Sequence, residues 1–183
     1  MINPNCPLCK ADIAQTSKHV LSNCPSPIAL TRYTARHNEI LQILVSWLRT
    51  AISPEKQLLA DLPNSDERCT SKLFHSYRPD IAICDSVSVN TLELTICHET
   101  SMPNSRNYKI NKYAKIQDSC TPIARGKIIS NFTIEISTIG FIAPLTKFVK
   151  TNKLPPLPTE VKTRIIRAVL NNSFKIYCNR NSV

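Results

Sequence analysis

A chain of 183 residues carries one ordinary domain and at most a small satellite, which excludes a self-contained polymerase or motor. Hydrophobic residues make up 42% and no apolar run approaches the ~18 residues of a membrane span, so a soluble globular protein with a real core is expected. The net charge of +10 is lopsided: residues 1–100 hold 9 basic and 10 acidic groups, whereas 101–183 hold 14 basic and 3 acidic, which suits either a polyanion partner or a solvated basic surface.

The first residues lack the basic start and apolar stretch of a secretory signal, so nothing argues for export. In that context eight cysteines suggest metal ligands or buried thiols before disulfides. The first 28 residues hold the densest pattern. Cys6 and Cys9, then His19 and Cys24, give Cys-x2-Cys-x9-His-x4-Cys, four ligands of the kind that close one tetrahedral zinc site. Thr16 or Ser17 can cap a single helical turn carrying His19 and Cys24. So short a segment buries too little apolar surface to fold alone, so the metal would supply its folding free energy. Cys69, Cys84, Cys97, Cys120 and Cys178 have no such pairing and read as core or surface thiols.

Residues 29–183 read as a second region. Apolar positions 33, 37, 40, 41, 44, 47 and 48 follow helical spacing, predicting a leading helix over 29–52, with Arg32 and Arg36 outside its apolar stripe. His37 lies on that stripe and reads as a packed, hydrogen-bonded residue. Residues 53–70 read as a connection rich in Pro, Asn, Asp and Ser. Short strands are expected at 72–77 and 81–84, and a third at 91–97 pairs with 81–84 as a hairpin. A helix is expected at about 105–118, capped by Ser105, with Ile110, Tyr113, Ala114 and Gln117 on its buried stripe and Lys109 and Lys112 on one flank. A strand over 131–139, a short helix after Pro144 and a terminal helix over 159–178 complete the chain. The order implies an α+β fold with a small central mixed sheet flanked by helices.

The chemistry concentrates in the hairpin. Asp80 follows Arg78-Pro79 at the mouth of one strand and Glu93 sits on the other, with twelve residues between them. Two such acids brought side by side can share a hard divalent cation such as Mg²⁺, which prefers oxygen ligands and activates water. A nearby lysine would orient that water and stabilise the charge of the transition state. Thr95 stands two places after Glu93, where many nucleases keep the lysine, so the lysine must come from elsewhere, and Lys109 or Lys112 on the flank of the following helix can reach.

These motifs in this order resemble the C-terminal end of site-specific non-LTR retrotransposon polyproteins, where a CCHC zinc knuckle precedes a restriction-like endonuclease of the PD-(D/E)xK superfamily. The resemblance is carried by Cys6 to Cys24, by Arg32-Tyr33-Thr34-Ala35-Arg36-His37-Asn38, by Arg78-Pro79-Asp80, by Glu93, by Glu99, and by Lys109 and Lys112-Tyr113. It implies a restriction-endonuclease-like core over 71–183. It implies Asp80 and Glu93 as magnesium ligands, Lys109 as the catalytic lysine with Lys112 beside it, and structural zinc on the four knuckle residues. The expected activity is Mg²⁺-dependent nicking of target DNA, in the nucleus, leaving the 3′-hydroxyl from which an intact element primes reverse transcription. The partners expected are target DNA and element RNA, with Arg32, Arg36, Arg78 and Lys115 contacting nucleic acid. No reverse transcriptase domain precedes the knuckle, so a piece of a larger polyprotein or a decayed copy is expected. The rival expectations are a catalytically inactive zinc-containing nucleic-acid-binding relic and, more weakly, a protein-interaction domain.

Overall fold

Ser26 accepts a hydrogen bond from the Ala29 N–H at 3.1 Å and Pro27 fills the first helical position, where a missing N–H costs nothing. This start defines helix α1, Pro27–Ala51, in the computed structural model, which describes residues 5–9, 11–63 and 72–181. Cys69 and the end of the expected connection lie outside the described residues. Ile40, Leu41, Leu44, Val45, Trp47 and Leu48 of α1 are buried, as the apolar spacing requires.

Four strands follow. β1 (Gln57–Ala60) pairs antiparallel with β2 (Ile81–Cys84), β2 pairs antiparallel with β3 (Ser88–Cys97), and β3 pairs parallel with β4 (Ile128–Ser137), in the order β1-β2-β3-β4. Parallel neighbours need a crossover, and helix α2 (Met102–Lys112) provides it. Helices α3 (Thr146–Asn152) and α4 (Thr159–Cys178) come last. The architecture is α+β, a four-stranded mixed sheet flanked by helices, with a Cys/His cluster near the N-terminus.

Because side chains alternate along a strand, the sheet sorts its residues onto two faces. Ile81, Ile83, Leu92, Leu94, Ile134 and Ile136 pack toward α1 and α4. Ala82, Cys84 and Val89 face a smaller cluster with Leu59, Phe74, Tyr113 and Ile116. A third cluster joins Cys6, Leu8, Val20, Leu21 and Cys24 to Ala29 of α1 and Ile176 of α4, so the N-terminal segment is docked on the helical layer. Among the described residues no helix is long and apolar enough to cross a membrane.

Several boundaries differ from the sequence-based expectations. Residues 72–77 are not a strand. Phe74 makes one isolated bridge to Cys120, and the Leu73 carbonyl and His75 N–H bond to Thr121 and Ser119 instead. The strand that pairs with β2 on that side is β1, four residues hidden between Pro54 and Pro63. β3 begins three residues early because Asp85 turns the chain with its own side chain, accepting from the Val87 and Ser88 N–H groups at 2.9 and 2.7 Å. α2 starts at Met102, ahead of Ser105, and ends at Lys112. Its expected buried stripe is absent: Ile110 is 51% exposed and Ala114 and Gln117 are exposed, while Tyr113, just past the helix end, is buried. A 3-10 turn, Ile116–Ser119, takes the rest of that span.

Candidate functional site

The N-terminal cluster is built from two tight turns. The Cys6 N–H bonds to the Ile13 carbonyl at 2.8 Å, closing a small loop that holds Cys6 and Cys9. Thr16 Oγ1 accepts from the His19 N–H at 3.2 Å and starts a single π-helical turn, His19–Asn23, that delivers His19 and Cys24. The four ligand atoms lie within 4.8 Å of one another. Cys6 Sγ is 3.9 Å from Cys24 Sγ, and Cys9 Sγ is 3.4 Å from His19 Nε2. A tetrahedral zinc with sulfur at about 2.3 Å and nitrogen at about 2.0 Å separates its ligands by roughly 3.5–3.8 Å. The donor set and its spacing therefore fit one zinc ion, which Cys6, Cys9, His19 and Cys24 could hold.

Tyr33 and Arg36 tie this cluster to the helices. The Tyr33 hydroxyl donates to the Val20 carbonyl at 2.6 Å and accepts from the Cys24 N–H at 3.2 Å. Burial pushes its pKa up to about 12. Arg36 is 1% exposed. Its guanidinium donates to the Leu21 carbonyl at 2.8 Å and to Ser173 Oγ of α4 at 3.0 Å, and stacks 5.4 Å from the Tyr33 ring centroid. Burial pulls the Arg36 pKa down to about 10. This corrects the expectation of a surface residue contacting nucleic acid: Arg36 pins the cluster between α1 and α4.

The second constellation forms where β2 begins beside the middle of β3. The Asp80 N–H donates to Glu93 Oε1 at 3.0 Å, and the Leu94 N–H donates to Asp80 Oδ2 at 2.7 Å, so each carboxylate is fixed by the other strand's backbone. Lys109 descends from α2 to place Nζ 2.7 Å from Glu93 Oε2. Glu93 is 2% exposed. Burial and then the Asp80 charge raise its pKa. For Lys109, burial opposes the charged form, but Glu93 and Asp80 outweigh it and raise the pKa. The structure thus brings Asp80, Glu93 and Lys109 together. Lys112 is exposed instead, its ammonium 5.1 Å from the Tyr113 ring centroid.

Two residues complete the cluster. His37 Nε2 of α1 lies 3.4 Å from Asp80 Oδ2. Burial disfavours its protonation, yet the bond and charge of Asp80 prevail and raise its pKa. The Tyr113 hydroxyl donates to the Arg78 carbonyl at 2.9 Å, anchoring the segment that presents Asp80. For His37, helical spacing gave its half-buried, hydrogen-bonded setting but not the partner, because Asp80 is 43 residues away.

The remaining predicted contacts are scattered. Arg32 donates to the Asn179 carbonyl at 2.8 Å, Arg78 pairs with Asp61 at 2.8 Å, and Lys115 is exposed past α2. Thr95 Oγ1 is buried without a hydrogen-bond partner in the place two after Glu93. Beside it, Glu135 of β4 is 1% exposed and receives Arg106 of α2 through Nε and Nη2 at 2.9 and 2.6 Å. No sequence pattern flagged this second ion pair. No family model matches the chain, and no curated protein matches it.

Proposed function

We propose that this chain is a metal-dependent endodeoxyribonuclease module of the kind its motifs resemble, in which Asp80 and Glu93 hold a divalent cation and Lys109 acts on the attacking water. The observation that carries the reading is the convergence of Asp80, Glu93 and Lys109 from three separate elements onto one point of the sheet. The order of elements supports it: a helix, a three-stranded antiparallel meander, a crossover helix, and a fourth strand parallel to the third. The carboxylate oxygens form a hard donor set that fits Mg²⁺, and the bound ion would supply Lewis acidity and an activated water.

The chain's own residues do the rest. Glu93 keeps Lys109 protonated and oriented, ready to stabilise charge on the phosphodiester oxygen as the bond to the leaving oxygen lengthens. His37 holds one oxygen of Asp80, and Tyr113 fixes the Arg78 carbonyl, so the acid is preorganised before substrate arrives. The basic half of the chain would give steep salt dependence, each phosphate contact contributing a slope of about −0.9 in log K against log salt. The zinc-bearing segment would contact single-stranded or distorted nucleic acid, including element RNA.

A second reading rests on the same ion pair. Lys109 already neutralises Glu93, which weakens the pull on a cation, and an inactive zinc-containing nucleic-acid binder would keep this arrangement as structure. Plasmid nicking with Mg²⁺ or Mn²⁺ separates the two. The nuclease reading expects wild-type nicking to fall at least about 100-fold in Asp80→Asn and Lys109→Ala, with DNA binding and circular dichroism retained. Equal nicking by wild type and Asp80→Asn overturns the catalytic assignment. Binding without metal-dependent nicking selects the relic.

A further inference from the structure

We infer that the cleft along the outer edge of β4 holds the phosphate backbone of one DNA strand, with Lys147 as its principal cation. The choice of DNA rests on the nuclease reading above; the cleft itself rests on the geometry that follows. A cavity of about 390 Å³ opens between α2, β4 and the start of α3, within the size range of ligand sites. Its polar wall is Arg106, Asn131, Thr133, Thr146 and Lys147, with no carboxylate lining it among the described residues. From residue 136 to residue 159 the chain contains no acid at all. The local field is therefore positive, and a polyanion is the complementary occupant.

Three features make this a place for a phosphate backbone. β4 is an edge strand, and its outward groups are defined by the Ala143 N–H bonding to the Glu135 carbonyl and the Ser137 N–H bonding to the Phe141 carbonyl. Alternation then turns the Asn131 and Thr133 amides outward too, where among the described residues no strand covers them. Outward amides and hydroxyls are the groups that position phosphates without reading sequence. Arg106 is held in place by the buried Glu135, which neutralises it, so the net positive charge of the wall comes from the exposed Lys147. Finally, Thr133 is the register partner of Glu93 and Arg106 stands one helical turn before Lys109. Thr133 on the cleft wall is thus one strand spacing, about 4.8 Å, from Glu93 and on the same face, while Phe132 and α3 with Lys147 lie on the other face. The cleft therefore runs round the free edge of the sheet, along which a strand leading to the cut bond would pass.

The test is fluorescence anisotropy of a labelled single-stranded 20-mer against the full chain carrying Asp80→Asn, with zinc supplied and no cleavage possible, over a salt series. Lys147→Glu is expected to raise Kd at least about 10-fold, and Lys147→Ala to lower the salt slope by about 1, while Lys147→Arg keeps both. Arg125→Glu, in the loop before β4, makes the same charge change elsewhere and is expected to cost less than about 3-fold. Equal weakening by Lys147→Glu and Arg125→Glu means a diffuse field and overturns the inference, as does the absence of DNA binding by any variant. Displacement of the DNA by a poly-glutamate peptide at lower concentration than by unlabelled DNA also overturns it, assigning the cleft to acidic protein. A Lys147 effect in a chain whose wild type never nicks leaves the cleft standing and removes the nuclease. Nicking by wild type with no Lys147 effect on binding does the reverse.

Discussion

The Cys/His cluster and the acid–lysine cluster are both small polar sites, yet they are assembled in opposite ways. All four zinc-type ligands come from residues 6–24, close enough in sequence for two local turns to bring them within reach of one ion. The acid–lysine cluster draws His37 from α1, Asp80 from the mouth of β2, Glu93 from β3 and Lys109 from α2, and it exists only when the sheet has formed. One site organises its own backbone; the other is organised by the core around it. Arg36 and His37, adjacent on α1, each serve one of the two sites, so a single helix couples them.

That contrast is sharpened most by withholding the metal ion that the Cys/His cluster could hold. A strong chelator, or Cys24→Ser, is expected to lower the melting temperature by roughly 6–12 °C, equivalent to about 3 kcal/mol in a chain of this size. The loss reaches α1 and α4 because Ala29 and Ile176 share the cluster's apolar contacts. Circular dichroism melts with and without chelator measure it. An unchanged melt would make the N-terminal segment an independent appendage.

Next in size is Arg36→Ala, expected to destabilise by about 3 kcal/mol, since it strips the Leu21 carbonyl and Ser173 of a buried charged donor and leaves a cavity. Arg36→Lys restores little, because one ammonium cannot span both acceptors. Denaturant titration reads both. Full stability in Arg36→Ala breaks the proposed coupling.

Tyr113→Phe removes one hydrogen bond to the Arg78 carbonyl and is expected to cost about 1 kcal/mol while loosening the Asp80 segment. The smallest effect is in the pH dependence. His37 binds its proton more tightly folded than unfolded, so its contribution is complete below the unfolded value of 6.5 and is lost as pH rises through the higher folded value. In chelator, His37→Gln is expected to flatten the decline in stability above pH 6.5. An unaltered pH profile would mean the Asp80 contact adds no stability.

Much of this was legible in the sequence because the signals were local. The stripe of α1, the strong β propensity of 91–97 and the Cys-His spacing each depend on residues within one or two turns of each other. Asp80 and Glu93 were nameable together because a hairpin converts a short separation into adjacency. β1 was not, since four residues between prolines carry too little periodicity to stand out from a loop. The stripe expected on α2 failed for a related reason: that helix packs through polar side chains, Lys109 and Arg106, onto two buried acids, and apolar spacing has nothing to register there.

By itself, then, the sequence determined the α+β class, the local ligand set near the N-terminus, and which two acids a hairpin would bring side by side. Only the tertiary structure decided that Lys109 rather than Lys112 meets them, that His37 and Glu135 become polar partners, and that Arg36 is buried. Those outcomes depend on how α1 and α2 lie across the sheet, and that placement is set by the summed burial of the core, to which no short stretch of sequence answers.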